Sequence, residues 1–144
     1  MRQRRRLVAE MGGTLTKIDI VGIVDDDKSL REALESVLKA AGFLVRTFAS
    51  AEEFLACEDC DDTRCLVLDV RLPGMSGIEL QRHLQQNNNR LPIIFITGHG
   101  DAFLRDSLMR AGAAAFLNKP VRSDALLREI SKALGSSIDN ERRS

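Results

Sequence analysis

Four apolar segments of the chain each end in a polar side chain of a type that handles phosphate or metal chemistry. Asp25 and Asp26 follow the first of these segments, and Asp69 closes a later one. Thr97 ends the next apolar segment, and Lys119 follows the last. A carboxylate can attack a phosphoryl group, while an ammonium and a hydroxyl can hold its charged oxygens. These residue types therefore predict phosphoryl transfer onto an aspartate, provided that the fold brings them together.

The three acids also predict a metal site. Carboxylates held close together repel one another unless one is protonated or a cation lies between them. Hard oxygen ligands with room for water suit Mg²⁺ or Mn²⁺. Asp26 and Asp69 would supply ligands to the metal, while Lys119 supplies the ammonium and Thr97 the hydroxyl. A general base is not required, because an aspartate nucleophile is already ionised.

Each of these residues also has a simpler interpretation when taken alone. Asp25 and its acidic neighbours could cap a helix, and Asp69 could begin a turn. Thr97 could be an ordinary strand end, and Lys119 a solvated charge near the start of a helix. Their joint occurrence at the ends of four separate apolar segments favours one shared site.

The segments that carry these residues alternate with amphipathic helical patterns. Apolar runs predict five strands, at about residues 18–24, 43–48, 65–70, 91–97 and 113–118. Strands too apolar to face water, alternating with helices, favour a parallel sheet that is covered on both faces. Right-handed crossovers make a doubly wound α/β sheet the simplest arrangement, and ligands then bind beyond the carboxyl ends of its strands.

Composition predicts a single domain without a general affinity for polyanions. The chain has 144 residues, and 21 Lys plus Arg balance 21 Asp plus Glu, so its net field favours neither nucleic acid nor an anionic membrane. No apolar run approaches the roughly 18 to 20 residues needed to span a bilayer, which favours a cytoplasmic location. We expect a flexible basic leader over residues 1–17, the folded domain over 18–135, and a C-terminal tail or start of a linker over 136–144.

Three cysteines raise the question of a metal or redox site. Cys57, Cys60 and Cys65 are an odd number in a chain too large to need disulfides, which favours a reducing compartment. The spacing of Cys57 and Cys60 is C-x2-C, but zinc needs four ligands, and His83 and His99 lie in unrelated segments. We interpret the cysteines as small residues in and around a loop, with Cys57 and Cys60 able to oxidise in air.

The combined motifs resemble the receiver domains of two-component response regulators. The motifs are VDD at 24–26, D-x3-P-x2-S-G at 69–77, Thr97, and KP at 119–120. LPGMSG at 72–77 and ITGHGD at 96–101 are most similar to the FixJ-like branch. The resemblance covers about residues 18–134 and implies a flavodoxin-like (βα)5 fold with strand order 2-1-3-4-5.

The resemblance implies a role for each acid of the site. Asp69 would be the phosphorylated residue, with the phosphoryl group supplied by a sensor histidine kinase. Asp69 and Asp26 would bind Mg²⁺ directly, together with the backbone carbonyl of Arg71. Asp25 would act on the metal mainly through water.

The resemblance also implies how the signal leaves the site. Thr97 and Lys119 would hold phosphoryl oxygens, and the peptide between Lys119 and Pro120 would be cis. Thr97 would move inward on phosphorylation and let Phe116 fill the space it leaves, as a switch. This would rearrange the surface of the fourth helix, fifth strand and fifth helix, which would control an output and support a homodimer. For Phe116, plain core packing is the other interpretation.

Two other functions and one kinetic hypothesis remain open at this point. A haloacid dehalogenase-like phosphatase would need an acid two residues after its nucleophile, where this chain has Arg71. An interaction module that is not phosphorylated would not need the full set of site residues.

FixJ-type regulators usually continue into a DNA-binding domain, but we expect no direct nucleic-acid binding by this chain. Arg71 and His99, each two residues beyond a site residue, are expected to hinder hydrolysis of the aspartyl phosphate.

Overall fold

The computed structural model describes residues 8–11, 14–17, 19–98 and 102–143, with side-chain surroundings given for 19–98 and 102–135. Within these ranges the chain forms a short antiparallel hairpin and a larger parallel sheet. The hairpin consists of β1 (Val8–Met11) and β2 (Thr14–Lys17).

The larger sheet contains five parallel strands that alternate with five helices. In chain order the elements are β3 (Ile20–Val24), α1 (Lys28–Ala40), β4 (Leu44–Phe48), α2 (Ala51–Ala56), β5 (Thr63–Asp69), α3 (Gly77–Gln86), β6 (Ile93–Thr97), α4 (Ala102–Arg110), β7 (Ala115–Asn118) and α5 (Ser123–Arg143). The strands lie in the order β4-β3-β5-β6-β7, and all four neighbouring pairs are parallel. Because β3 is the first strand of this sheet, the order is 2-1-3-4-5, and the predicted doubly wound fold is confirmed.

The sheet separates two apolar cores because successive side chains of a strand point to opposite faces. One core contains side chains of α2, α3 and α4 packed on residues such as Leu66, Leu68 and Phe95. The other contains side chains of α1 and α5 packed on Val67 and Ile94. Strands buried on both faces hold the strand ends, and therefore the site, in a fixed arrangement.

Side-chain caps fix where the helices around the site begin. Asp27 accepts the Leu30 N–H at 3.2 Å and caps α1, which gives it a structural role beside the site acids. At α3 the Ser76 hydroxyl accepts the Glu79 N–H at 3.1 Å, and the Glu79 carboxylate accepts the Ser76 N–H at 3.2 Å. This reciprocal pair satisfies donors that the first helical turn would otherwise leave open.

The structure differs from the sequence analysis near both ends of the chain. Residues 8–11 and 14–17 form the β1–β2 hairpin, within the segment expected to be a flexible leader. α5 continues to Arg143, although residues 136–144 were expected to be a tail or linker. No proline interrupts this segment, and extending an existing helix costs far less than nucleating one. Among the described residues, no helix has both the length and the apolar character needed to cross a membrane.

Candidate functional site

The carboxyl ends of three strands bring Asp25, Asp69 and Lys119 into direct contact. The Lys119 Nζ atom lies 2.9 Å from Oδ2 of Asp25 and 3.2 Å from Oδ2 of Asp69. Asp25 is fully buried and Asp69 is 4% exposed, so the two carboxylates share one cation in a poorly hydrated crevice. This arrangement pairs an aspartate with an ammonium that can also hold an incoming anion.

Asp26 completes a group of three carboxylates that could hold a metal ion. One ligand oxygen from each of Asp25, Asp26 and Asp69 lies within 4.8 Å of the others. Asp26 is exposed, which leaves an open side for water or a substrate. Asp25 Oδ1 accepts the Asp27 N–H at 2.8 Å, and the buried Oδ2 faces the Lys119 ammonium 2.9 Å away as an ion pair. A buried oxygen of this kind fits a hard divalent cation, since such cations take oxygen ligands.

Asp69 is held by its own loop and by Lys119. The Arg71 N–H donates to Asp69 Oδ1 at 3.1 Å, and the Lys119 ammonium donates to Oδ2. Burial and the charge of Asp25 raise the pKa of Asp69, and they outweigh the Arg71 N–H and Lys119, which lower it. The ionised form of Asp69 is therefore destabilised in the metal-free site, and a cation would relieve this.

Lys119 is positioned by the end of β6 and by the turn that follows β7. Its backbone N–H donates to the Thr97 carbonyl at 2.8 Å, and its peptide bond to Pro120 is cis. Burial lowers the pKa of Lys119, but the hydrogen bond and charge of Asp25 and the charge of Asp69 outweigh it and raise the pKa overall. The ammonium therefore stays charged across the physiological pH range.

Thr97 and Phe116 lie on the same face of the sheet. Thr97 is fully buried at the end of β6, and its register partner on β7 is Asn118. Phe116 is the partner of Phe95 and packs against the core formed with α2, α3 and α4. Residues that are partners in a parallel pair point to the same face, so Thr97 and Phe116 occupy diagonal positions on adjacent strands. This placement is compatible with both interpretations of Phe116, a switch that moves together with Thr97 and a side chain that only packs in the core.

The loop after Asp69 is held by contacts that the sequence analysis did not identify. The Glu52 carboxylate on α2 accepts the Met75 N–H at 2.9 Å. A Cβ added at Gly77 would lie 2.3 Å from the Asp69 carbonyl oxygen, so only glycine allows α3 to begin so close to β5. Glu52 carries no sequence signal for this role, because a contact between a helix and a loop 23 residues away has no periodic pattern. Gly77 is the last residue of the D-x3-P-x2-S-G motif at 69–77, and its close approach to the Asp69 carbonyl is visible only in the folded structure.

Some expected site features are exposed or lie outside the described residues. Arg71 is exposed, and its described contact with the site is made by its N–H, so metal binding by its carbonyl stays a prediction. His99 lies outside the described residues. Phe103 on α4 is 82% exposed, whereas Leu104 is partly buried against the core.

The three cysteines fall into one bonded pair and one free thiol, and the pair is the one expected to be able to oxidise. Cys57 and Cys60 form a disulfide in the segment between α2 and β5. Cys65 is a free thiol, fully buried on β5. The closely spaced pair satisfies the distance condition for a disulfide because the chain turns between the two residues.

Comparison with known proteins places the chain among signalling proteins. The family model for the response regulator receiver domain matches residues 21–131. Nodulation protein W of Bradyrhizobium diazoefficiens is 45% identical over 124 residues, which are 86% of this chain and 54% of that protein. Transcriptional regulatory protein FixJ of Azorhizobium caulinodans is 38% identical over 123 residues, 85% of this chain and 58% of that protein.

A solved structure agrees with these sequence relatives. The structure of response regulator StyR has a TM-score of 0.76 and 47% identity, and the match covers 88% of this chain and 63% of that one. The chain spans about half the length of the curated relatives it matches. The resemblance drawn from the sequence motifs, including that to FixJ, is confirmed.

Proposed function

Because the chain belongs to the family of response regulator receiver domains, we propose that it accepts a phosphoryl group on Asp69 from a sensor histidine kinase. In this role it is a signalling switch of a two-component system rather than an enzyme that turns over a separate substrate. The observation that carries the proposal is the Lys119 ammonium, which lies within 3.2 Å of both Asp25 and Asp69 at the strand ends.

The chain's own residues supply the groups that the transfer requires. Asp69 attacks the phosphorus atom of a phosphohistidine, the P–N bond breaks, and the histidine leaves while an aspartyl phosphate forms. Lys119 and the Thr97 hydroxyl hold the phosphoryl oxygens, because Lys119 contacts Asp69 directly and Thr97 ends the strand next to that of Asp69. Asp26, Asp69 and the Arg71 carbonyl would hold Mg²⁺ or Mn²⁺ directly, with Asp25 acting through water. A bound divalent cation would neutralise the charge that builds up on the transferring group.

The output would follow from the sheet geometry around Thr97. An inward movement of the hydroxyl toward the phosphoryl group opens space on the face that also carries Phe116. Phe116 fills that space and changes the surface formed by α4, β7 and α5. The shift between the two states is limited to the difference in affinity of the phosphoryl group for each of them. Phe103, exposed on α4, lies on this surface and supports a homodimer contact in the phosphorylated state.

The relatives suggest where such a switch would act. FixJ is by name a transcriptional regulatory protein, and the chain matches about half of it. We propose that this chain likewise controls transcription as the receiver part of a longer regulator. The contacts with DNA would then be made by other segments of that regulator. A cytoplasmic location fits such a pathway.

Intact mass after treatment with acetyl phosphate and Mg²⁺ tests the main proposal. One added phosphoryl group is expected on the chain and none on Asp69→Asn. Asp106→Asn, which removes an exposed carboxylate on α4, is the matched control and should be labelled normally. Labelling of Asp69→Asn, or of neither protein, would contradict the proposal. Steady turnover of a simple phosphate ester would instead indicate a phosphatase.

A further inference from the structure

The segment between α2 and β5 presents the Cys57–Cys60 disulfide at the surface. The two Cα atoms lie 5.7 Å apart, within the range of about 4.4–6.8 Å that disulfides need, so the backbone already brings the sulfurs together. Both cysteines are half-buried, and Glu58 and Asp59 between them are exposed. A dithiol in solution therefore has access to this bond.

Structural support is a weak explanation for this bond. It closes only the loop of residues 57–60, and the stabilising effect of a cross-link is smaller for shorter loops. The two cores on either side of the sheet are formed by other side chains, with Cys57 and Cys60 only partly buried at the edge of one. Disulfides in a reducing compartment, such as the cytoplasm proposed here, are usually transient or redox-sensing.

Arg46 on β4 makes the two sulfurs chemically unequal. Its Nη1 atom lies 3.8 Å from Cys60 Sγ, and the same nitrogen donates to the carbonyl of Asp59. A nearby guanidinium stabilises a thiolate, so Cys60 is the better leaving group when the bond is attacked. The exposed carboxylates of the loop oppose this effect, but solvent screens them more than the direct Arg46 contact. Cys57 Sγ is then the sulfur that an incoming thiolate attacks.

α2 connects this disulfide to the loop that follows Asp69. Cys57 is the C-cap of α2, and its N–H donates to the Phe54 carbonyl at 3.2 Å. On the same helix, Glu52 accepts the Met75 N–H of the loop. α2 has only six residues and would not form a stable helix by itself. Opening the bond removes a constraint at one end of α2 and should loosen the contact of Glu52 with the loop.

We propose that Cys57 and Cys60 are a reversible redox-modification site that exchanges with a protein dithiol of the thioredoxin class and, through α2, controls the order of residues 71–76. A thiolate of the partner attacks Cys57 Sγ, the Cys57–Cys60 bond breaks, and Cys60 leaves as a thiolate that takes up a proton. The partner's second thiol then attacks the mixed disulfide and releases the Cys57 thiol. Two electrons and two protons pass to the pair, and the partner becomes a disulfide. Any effect on phosphorylation rests on the proposed function, whereas the exchange does not.

Native alkylation followed by intact mass tests the exchange on the full chain. Air-oxidised protein should take up no iodoacetamide, and protein treated with thioredoxin, its reductase and NADPH should take up two groups. Cys57→Ser with Cys60→Ser should take up none in either state. Cys65→Ala is the matched control and should behave like the unchanged chain, because burial raises the pKa of the Cys65 thiol to about 12 and keeps it unreactive. Free thiols after air oxidation, or a bond that thioredoxin leaves intact, would overturn the site.

A second variant pair tests the chemical asymmetry of the two sulfurs. Arg46→Gln should slow reduction by thioredoxin several-fold, because the departing Cys60 thiolate loses its cation. Arg82→Gln, which removes an exposed arginine on α3, should leave the rate unchanged. Equal rates in all three proteins would show that Arg46 has no part in the exchange.

Amide hydrogen exchange of the peptide containing residues 71–76 tests the coupling. The Met75 amide should exchange faster in the reduced protein than in the oxidised one. Glu52→Ala should make exchange fast in both states, whereas Glu32→Ala, on the exposed side of α1, should preserve the difference. Identical exchange in both redox states of the unchanged chain would overturn the coupling. A failure of acetyl phosphate labelling would count only against the proposed function and would leave these results intact.

Discussion

Replacing Asp69 by Asn should stabilise the metal-free protein. With an effective dielectric constant of about 20, Asp25 and Asp69 at up to 4.8 Å repel by about 3.5 kcal/mol, while Lys119 at 3.2 Å attracts Asp69 by about 5 kcal/mol. Asp26 lies within the same distance and, although solvent weakens its effect, adds further repulsion, so the total repulsion on Asp69 at least matches the attraction by Lys119. The burial of Asp69, which raises its pKa, then decides the sign. Lys119 keeps its partner Asp25 at 2.9 Å in the variant, so the change leaves no unpaired cation.

The size of the effect can be read as a shift in melting temperature. Relieving a destabilised site typically gains roughly 0.5 to 2 kcal/mol. For a domain of this size this corresponds to about 2 to 8 °C. Saturating Mg²⁺ should reverse the order, since a cation at about one hundred times its dissociation constant stabilises the unchanged chain by about 2.7 kcal/mol. Asp69→Asn lacks one of the proposed metal ligands and should gain little.

The pH dependence supplies a further check on the sign. In the unfolded chain Asp69 has a pKa near 3.9. Its pKa is raised in the folded protein, so the folded state holds the proton more tightly, and stability is lost as the pH rises from the unfolded pKa through the folded one. The advantage of Asp69→Asn should therefore vanish below about pH 4.

Differential scanning calorimetry with EDTA, then with Mg²⁺, measures both effects, and Asp106→Asn serves as an exposed control. A variant that melts below the unchanged chain in EDTA at neutral pH would refute the reasoning. That outcome would mean that the Lys119 ion pair outweighs burial and repulsion at Asp69.

Three further substitutions probe the rest of the site. Gly77→Ala should lower the free energy of unfolding by about 1 to 3 kcal/mol in urea titrations and slow labelling, because the new Cβ must displace the Asp69 carbonyl; an unchanged midpoint would contradict this. Lys119→Met should cost about 3 to 5 kcal/mol, since it leaves buried Asp25 without a cation, and Mg²⁺ should restore part of the loss; stability equal to the unchanged chain would contradict this. Arg71→Ala should alter stability by less than about 0.5 kcal/mol but speed the loss of phosphate from labelled protein; an unchanged rate would remove the hypothesis that this side chain hinders water.

The fold and the main contacts of the site could be predicted from the sequence because they rest on strong local patterns. The apolar run that becomes β3 and the acids that follow it mark both a buried strand and its functional end. The parallel arrangement then forces Asp25, Asp69 and Lys119 toward one edge of the sheet. Such inferences are reliable when the local sequence pattern, the sheet arrangement and the polar residues at the strand ends all indicate the same structure.

Features that depend on contacts between distant segments could not be predicted in this way. Glu52 meets Met75 only because α2 and the loop after β5 lie side by side, which no periodicity encodes. The C-x2-C spacing was visible, but pairing of Cys57 with Cys60 depends on the turn between them. The β1–β2 hairpin and the length of α5 could not be predicted because polar segments give little periodic signal.

The sharing of one ammonium by two carboxylates has a consequence for the order of binding events. If a phosphoryl group draws Lys119 toward itself, as the proposed transfer requires, Asp25 would lose part of the counter-charge that Lys119 now gives it and would gain affinity for a divalent cation. Cation and phosphoryl group should therefore bind with positive cooperativity, and by reciprocity each should strengthen the other by the same factor. The Mg²⁺ concentration would then determine how large a fraction of the protein a given phosphoryl donor labels.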